Sequence, residues 1–265
     1  LFDQVLQRQS DLVVEWLRVG FIHGVMNTDN TAISGETIDF GPCAMMGSYS
    51  PKTVFSSIDR DGRYAFGNQP AIVQWNMARF AETLLPLIDS NEEQAIETLG
   101  ARLENFSSLF KQRYLRMMAG KLGLSRLTSA DEALILALLD RLEQKRLDYT
   151  TSFDRLTRSL SSQSVAQQSI DELADWYTDW RQRLASQEED AKTIQSRMRH
   201  ANPVVIARNY HMEQVIGECL ESGDSSAADS FLDVLRSPYH ATSNTLQYQL
   251  VPDGADVGYQ TFCGT

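Results

Sequence analysis

Apolar residues recur three and four positions apart from the start of the chain, with Val5, Leu6, Leu12, Val13, Trp16 and Leu17 on one side of a 3.6-residue period. The spacing predicts a helix over residues 1–19, with Gly20 supplying the left-handed conformation that helix ends favour. The period then stops. Between Thr31 and Phe40 the pattern is short and alternating around Ser34-Gly35, which predicts a hairpin pairing Ala32-Ile33 with Thr37-Ile38, ended by Gly41-Pro42. Residues 43–69 mix Gly47, Pro51, Gly62 and Gly67 with serines and scattered aromatics, the composition of a long ordered loop.

Helical spacing returns at Pro70 and predicts helices over about 70–88, 91–122, 129–146, 166–199, 210–222 and 225–236. Pro70 suits a first helical turn, Ser129 and Glu132 have the spacing of a capping box, and Asn202-Pro203 ends the helix before it. Trp75, Phe80, Leu84 and Leu87 fall at core positions, and Trp176, Tyr177 and Trp180 form an aromatic cluster expected to be buried. Glu188-Glu189-Asp190 reads as a solvated helix face. From Pro238 to Thr265 the chain loses its helical period and reads as a tail packed through Tyr248, Tyr259 and Phe262. The expected fold is therefore mainly α, with one short hairpin.

Composition excludes some functions. The chain has 265 residues, 42% hydrophobic and 22% charged, enough to bury a core without disulfides or metals. A net charge of -11 argues against nucleic acid or an anionic membrane as partner, since either needs clustered Lys and Arg. The longest apolar run, Ala133 to Leu139, is far short of the ~20 residues that span a bilayer. A cytoplasmic location is expected, or a mitochondrial one in a eukaryote. Cys43, Cys219 and Cys263 contain no CxxC pair, and His200, His211 and His240 have no metal-ligand spacing.

The polar cluster after the first helix carries the chemistry. Transfer of a phosphoryl or nucleotidyl group requires hard oxygen ligands for Mg2+ and a group that positions the attacking hydroxyl. Protein kinases supply them with His-Arg-Asp-x-x-x-x-Asn, a hairpin, and then Asp-Phe-Gly. Here His23 and Asn30 stand seven apart, and Asp39-Phe40-Gly41 follows the turn. The position of the kinase base holds Val25, which cannot accept a proton, but a carboxylate, Asp29, directly precedes Asn30. His23 is read as a brace that packs near Phe40, not as a metal ligand. Arg63, Asn68, Gln69, Asn76 and Arg79 are read equally well as substrate contacts or as a polar brace between loop and helix.

The blocks His23-Gly-Val-Met-Asn-Thr-Asp-Asn30 and Thr37-Ile-Asp-Phe-Gly-Pro42 resemble the signature of the selenoprotein O family. The likeness continues through Gly62-Arg-Tyr-Ala-Phe66, Asn68-Gln-Pro70, Trp75-Asn-Met-Ala-Arg79, Asp148-Tyr-Thr150, Asn202-Pro203, Arg208-Asn209 and Tyr259-Gln-Thr-Phe-Cys-Gly-Thr265. The resemblance implies a pseudokinase-fold enzyme that transfers AMP from ATP to Ser, Thr or Tyr hydroxyls of proteins. It implies Asp29 as proton acceptor, Asn30 and Asp39 as ligands of Mg2+ (or Mn2+), Asp39 as the contact to ATP through that metal, and a redox role for Cys263. Its partner thiol stays open; Cys43, two residues after Gly41, is a candidate that a flexible tail could reach. It further implies a kinase-like C-lobe over residues 1–130, a helical extension over 131–237 and a tail over 238–265. The family's nucleotide-binding N-lobe has no counterpart in the 22 residues before His23, so the chain is expected to be the C-terminal part of a longer enzyme and to be inactive alone. Two rival functions stay open at this point: a protein kinase that transfers the γ-phosphate, and a non-catalytic helical interaction module.

Overall fold

The computed structural model describes residues 1–262 and is mainly helical. Helix α1, Phe2–Val19, ends on Gly20 at φ 81°, whose amide bonds back to the Trp16 carbonyl. Strand β1, Phe21–Ile22, pairs antiparallel with β2, Ala44–Met45, and the chain between them forms the loop that holds the polar cluster. After a second irregular stretch, α2 (Gln69–Ile88) opens with Pro70 in its first turn. Next come α3 (Glu92–Glu104), α4 (Phe106–Lys121), α5 (Asp131–Gln144), α6 (Tyr149–Ser159), α7 (Gln163–Leu173), α8 (Asp175–Ala185) and α9 (Ala191–Ala201). Helices α10 (Asn209–Ser222), α11 (Ser226–Leu235) and α12 (Ser243–Gln249) complete the order.

One buried apolar cluster runs from Phe2 to Met198 and seats α1 against α2 and α4, with Trp176, Tyr177 and Trp180 inside it as their pattern predicts. Tyr149 lies deep in this core, and its hydroxyl donates to the Leu17 carbonyl at the end of α1 (3.0 Å). Lys121 is also fully buried, donating to the Arg18 carbonyl (2.8 Å).

Several expectations are corrected. The predicted hairpin is absent: Gly35 makes the turn, bonding to Ala32, but the flanking residues form no ladder. Side chains of α1 and the loop take up its backbone and hydroxyls instead, and Ile33 and Ile38 are exposed, so no buried face fixes a strand register. The helix predicted over 91–122 breaks at Asn105, whose side chain bonds to the Ala101 carbonyl in competition with the helix ladder. The helix predicted over 166–199 is three helices, interrupted at Ala174, which has φ 50°, and again after Ala185, where Asp190 caps α9. Glu188-Glu189-Asp190 is thus a loop, with Glu189 paired to Arg197. The Ser129–Glu132 capping box is replaced by Asp131, which accepts from the Thr128 amide (2.6 Å). Helices α6 and α12 lie where none is predicted. Trp75 and Leu87 are exposed, 43% and 79%, rather than core. In the tail, Tyr248 packs on His211 and Phe231 and Tyr259 on Phe55, as predicted, but Phe262 is exposed.

Candidate active site

The loop between the two strands has little regular structure of its own, so neighbouring side chains must satisfy its backbone. Gln69, fully buried at the start of α2, does this for the entry: its Oε1 accepts from the His23 amide (3.0 Å) and its Nε2 donates to the Phe21 carbonyl (3.1 Å). About two turns further along α2, the Asn76 amide donates to the Met26 carbonyl (3.0 Å) and to the Thr31 hydroxyl (2.9 Å). Tyr64 donates to Asn27 Oδ1 (2.6 Å), and from α1 the Trp16 indole donates to the Thr37 hydroxyl (2.9 Å). Gly24 sits at φ 86° with the Pro42 carbonyl so close that a Cβ would stand 2.5 Å from it, so the two ends of the loop meet only because residue 24 lacks a side chain.

His23 is the internal brace that its position predicts. Its Nε2 lies 2.9 Å from the Ile38 carbonyl, which can only accept, so Nε2 carries the proton. The Val25 amide points at Nδ1 (3.4 Å), leaving that nitrogen as acceptor and the ring neutral. Burial holds His23 below the ordinary imidazole value of 6.5, against the opposing pull of the Ile38 carbonyl and Asp39. The ring packs on Trp16 (5.3 Å) and Phe21 (6.3 Å), and Phe21 in turn meets the edge of Phe40 (6.4 Å).

This bracing brings Asn30 and Asp39 together. Asn30 Nδ2 donates to Asp39 Oδ2 (2.8 Å) and to the Val25 carbonyl (3.1 Å). Both partners accept, so the orientation of the amide is fixed and Asn30 Oδ1 is left uncommitted by these bonds. Asp39 adopts φ 56°, a left-handed conformation that Asp tolerates better than most residues but still at a cost. Asp29 is exposed on the 3-10 turn Thr28–Asn30, next in sequence to Asn30, while Val25 at the kinase base position is buried. The available donors are carboxylate and amide oxygens, hard ligands of the kind Mg2+ takes from a protein while keeping its other positions for phosphate and water. Among the described residues no three His, Cys, Asp or Glu side chains gather into a metal cage.

Of the residues read as either substrate contacts or braces, Gln69 and Asn76 are braces, and Asn68 bonds to the Gly62 carbonyl (2.7 Å). Arg63 and Arg79 flank the exposed Trp75 ring, at 5.0 and 5.3 Å from its centre. The Tyr64–Asn27 bond is missed by sequence reasoning, because nothing in the spacing links two loop residues so far apart. Cys43 is half-buried and unbridged among the described residues, and burial pushes its thiol up, which disfavours the reactive thiolate. Cys263 lies outside the described residues. The tail nevertheless reaches this region: the Thr261 hydroxyl donates to the Pro42 carbonyl (2.6 Å) and the Thr261 backbone pairs beside Ser56.

A braced loop that converges an amide and a carboxylate, with a second carboxylate beside them, accords with the comparisons to known proteins, which place the chain in a family of protein nucleotidyltransferases. The family model described as protein adenylyltransferase SelO matches residues 1–236. The chain belongs to the selenoprotein O family. It is 51% identical over 261 residues to the protein nucleotidyltransferase YdiU of Teredinibacter turnerae, covering 98% of this chain and 54% of that protein. It is 47% and 46% identical over 265 residues to the proteins of the same name from Anoxybacillus flavithermus and Brevibacillus brevis, in each case over 100% of this chain and 54% of the relative. The chain thus spans about half the length of the curated relatives it matches.

Proposed function

We propose that this chain is the C-terminal, kinase-C-lobe-like part of a protein adenylyltransferase that transfers AMP from ATP to protein Ser, Thr or Tyr hydroxyls. The observation that carries the proposal is the Asn30–Asp39 contact at 2.8 Å, which joins two residues nine apart around one point on the loop. Asn30 and Asp39 would hold Mg2+ or Mn2+, with Asp39 meeting ATP through it; when bound, the ion neutralises charge on the phosphates. Asp29 orients the acceptor hydroxyl and takes its proton as the hydroxyl oxygen bonds to the α-phosphorus. The bond from that phosphorus to the bridging oxygen breaks, and pyrophosphate departs with its electron pair. His23 and Gln69 take no part in bond making; they hold the loop.

The γ-phosphate kinase reading is less well supported, because the residue at the kinase base position is the buried, aliphatic Val25. The test is made in the family-length protein, with ATP labelled at either the α- or the γ-phosphate. Label from the α-position should appear on protein, and Asp29→Ala and Asp39→Ala should each abolish it. Transfer of γ-label instead makes the protein a kinase, and undiminished α-transfer by Asp39→Ala removes that residue from the mechanism.

A further inference from the structure

A cavity of about 440 Å³ opens between α4 and the irregular stretch that leads into α2. One wall follows from sequence spacing: Phe106, Phe110 and Tyr114 recur every four residues and so share one side of α4. Tyr49 and Phe66 join them from the irregular stretch, with ring centres 6.2 Å apart and planes at 86°. Five aromatic rings thus line one space, whose volume lies within the ~300–1,000 Å³ of small-molecule pockets. Both walls are held from behind. The Phe66 and Gly67 amides donate to the Thr53 and Pro51 carbonyls (3.1 and 2.8 Å), and a Cβ at Gly67 would stand 3.0 Å from Pro51. Phe106 and Phe110 belong to the buried core. A ligand therefore meets a pocket that it does not have to form.

The polar groups in this space are neutral. Among the described residues the Tyr49 and Tyr114 hydroxyls have no hydrogen-bond partner, and neither oxygen is sealed in. Burial, with Tyr114, Glu143 and Asp140 adding to it, pushes Tyr49 above its ordinary value of 10, and burial takes Tyr114 to about 12, so both keep their protons at neutral pH. Tyr49 is buried and Tyr114 half-buried, which makes Tyr114 the readier donor. At the rim, the Gln74 amide meets the Ser107 hydroxyl and the Leu103 carbonyl only at 3.4 Å, long enough to be exchanged for an occupant. Lys111 is the only charged residue among the described ones that line the cavity, and Glu132 pairs with it at 2.7 Å. An ion of either sign would give up its hydration against aromatic walls with no free counter-charge to receive it.

We propose that this cavity is a binding site for a neutral, flat, ring-bearing small molecule whose carbonyl-like oxygen accepts from Tyr114 while its ring packs among the aromatic side chains. The site does not depend on the adenylyl-transfer reading. It does bear on the candidate active site, because Phe66, Gly67 and Pro70 on its wall flank Gln69, the side chain that holds the His23 amide and the Phe21 carbonyl. An occupant steadies the stretch that presents this brace.

The test uses the family-length protein without ATP and four probes of similar size: benzamide, cyclohexanecarboxamide, benzoate and benzylamine, each titrated by ligand-observed NMR. Benzamide should bind saturably and about 5- to 10-fold more tightly than cyclohexanecarboxamide, the share that ring-on-ring contact contributes, with both ions weaker than benzamide by at least as much. In hydrogen exchange it should raise amide protection over residues 49–54, 66–71 and 106–114 and, through Gln69, over 21–26. Ala71→Phe and Ser107→Phe, which fill the cavity from exposed positions, should each abolish binding, and Tyr114→Phe should weaken it about 5-fold. Absence of saturable binding, equal binding of cyclohexanecarboxamide or of either ion, protection raised elsewhere instead, or full affinity in both cavity-filling variants overturns the site. Unchanged affinity in Tyr114→Phe overturns the hydrogen bond, and protection that rises over the lining residues but not over 21–26 overturns the link to the brace.

Discussion

The loop from His23 to Pro42 and the helical body from Phe106 to Ile206 are held by different forces. In the body, Leu138, Phe153, Trp180 and Met198 are wholly buried, and each apolar side chain removed from water contributes roughly 1.5–3 kcal/mol. In the loop Met26 joins the core, but Asp39, Phe40 and Ile33 are exposed, and much of the hold comes from hydrogen bonds supplied by Gln69, Asn76, Tyr64 and Trp16. The difference teaches that the body sets whether the chain folds, whereas the loop's order depends on a few polar contacts that can be lost without unfolding the rest.

The largest effect should come from a polar contact inside the body. Arg183 grips Asp131 through two nitrogens, at 2.7 and 3.0 Å, and the Asp131 side chain is 1% exposed. Burial alone would push this carboxyl up, but the Arg183 and Thr128 hydrogen bonds outweigh it and hold the group below its ordinary value of 3.8. Asp131→Asn takes the charge partner from a part-buried guanidinium and turns a buried amide donor towards either Arg183 or the Thr128 amide, both of which donate, and should cost about 3 kcal/mol in urea denaturation at pH 7. The pH dependence follows in sign. A carboxylate held below 3.8 contributes fully above that pH and loses its contribution as pH falls through the lower folded value, so the gap between native protein and Asp131→Asn should close below pH 3.8. A gap that stays constant through that range would show that the loss is not electrostatic.

The next effect belongs to the loop. Gln69→Ala removes the partners of the His23 amide and the Phe21 carbonyl, and should cost about 1–3 kcal/mol. Amide hydrogen exchange is the informative measurement, because protection should fall over residues 21–31 and remain over α6, α8 and α9. A uniform loss of protection would mean that loop and body unfold as one unit, which would erase the contrast drawn between them.

Parts of this division are legible in the sequence. The 3.6-residue period locates α1, α2 and α5, because each buries one apolar stripe; it locates α10 too, although Met212, Ile216 and Leu220 on that helix are exposed. The breaks at Asn105 and Ala174 are not legible, since apolar spacing continues across both and the interruption is a backbone event. Helix α6 hides behind a Thr- and Ser-rich sequence of poor helix propensity, although Tyr149, Phe153 and Leu156 keep the spacing of a buried stripe. In the site, His23, Asn30 and Asp39 stand out by spacing alone. Their supports do not, because Gln69 and Asn76 act on backbone groups about fifty residues away, and only the fold brings those together. The hairpin fails for a related reason: alternation predicts strands only where one face is buried, and here Gln9 and His23 claim the Ala32 and Ile38 carbonyls that a ladder would use.

The smallest expected change in stability is also the one that best separates stability from function. Asp39 holds φ 56°, where a Cβ is strained and glycine is not. Asp39→Gly removes that strain and gives up the Asn30 hydrogen bond, and it adds the entropy cost of a freer unfolded chain. These effects oppose one another at an exposed position, so thermal stability should move by no more than about 1 kcal/mol in either direction. If Asp39 is kept for its oxygens, labelling from α-phosphate ATP in the family-length protein should nevertheless vanish. Asp39→Asn, which tolerates the same backbone and retains one oxygen, should fold equally well and recover little activity, because a neutral amide is a poorer ligand for a divalent cation. A substitution that left both stability and transfer intact would mean that the left-handed turn, rather than the carboxylate, is what the loop needs at this position.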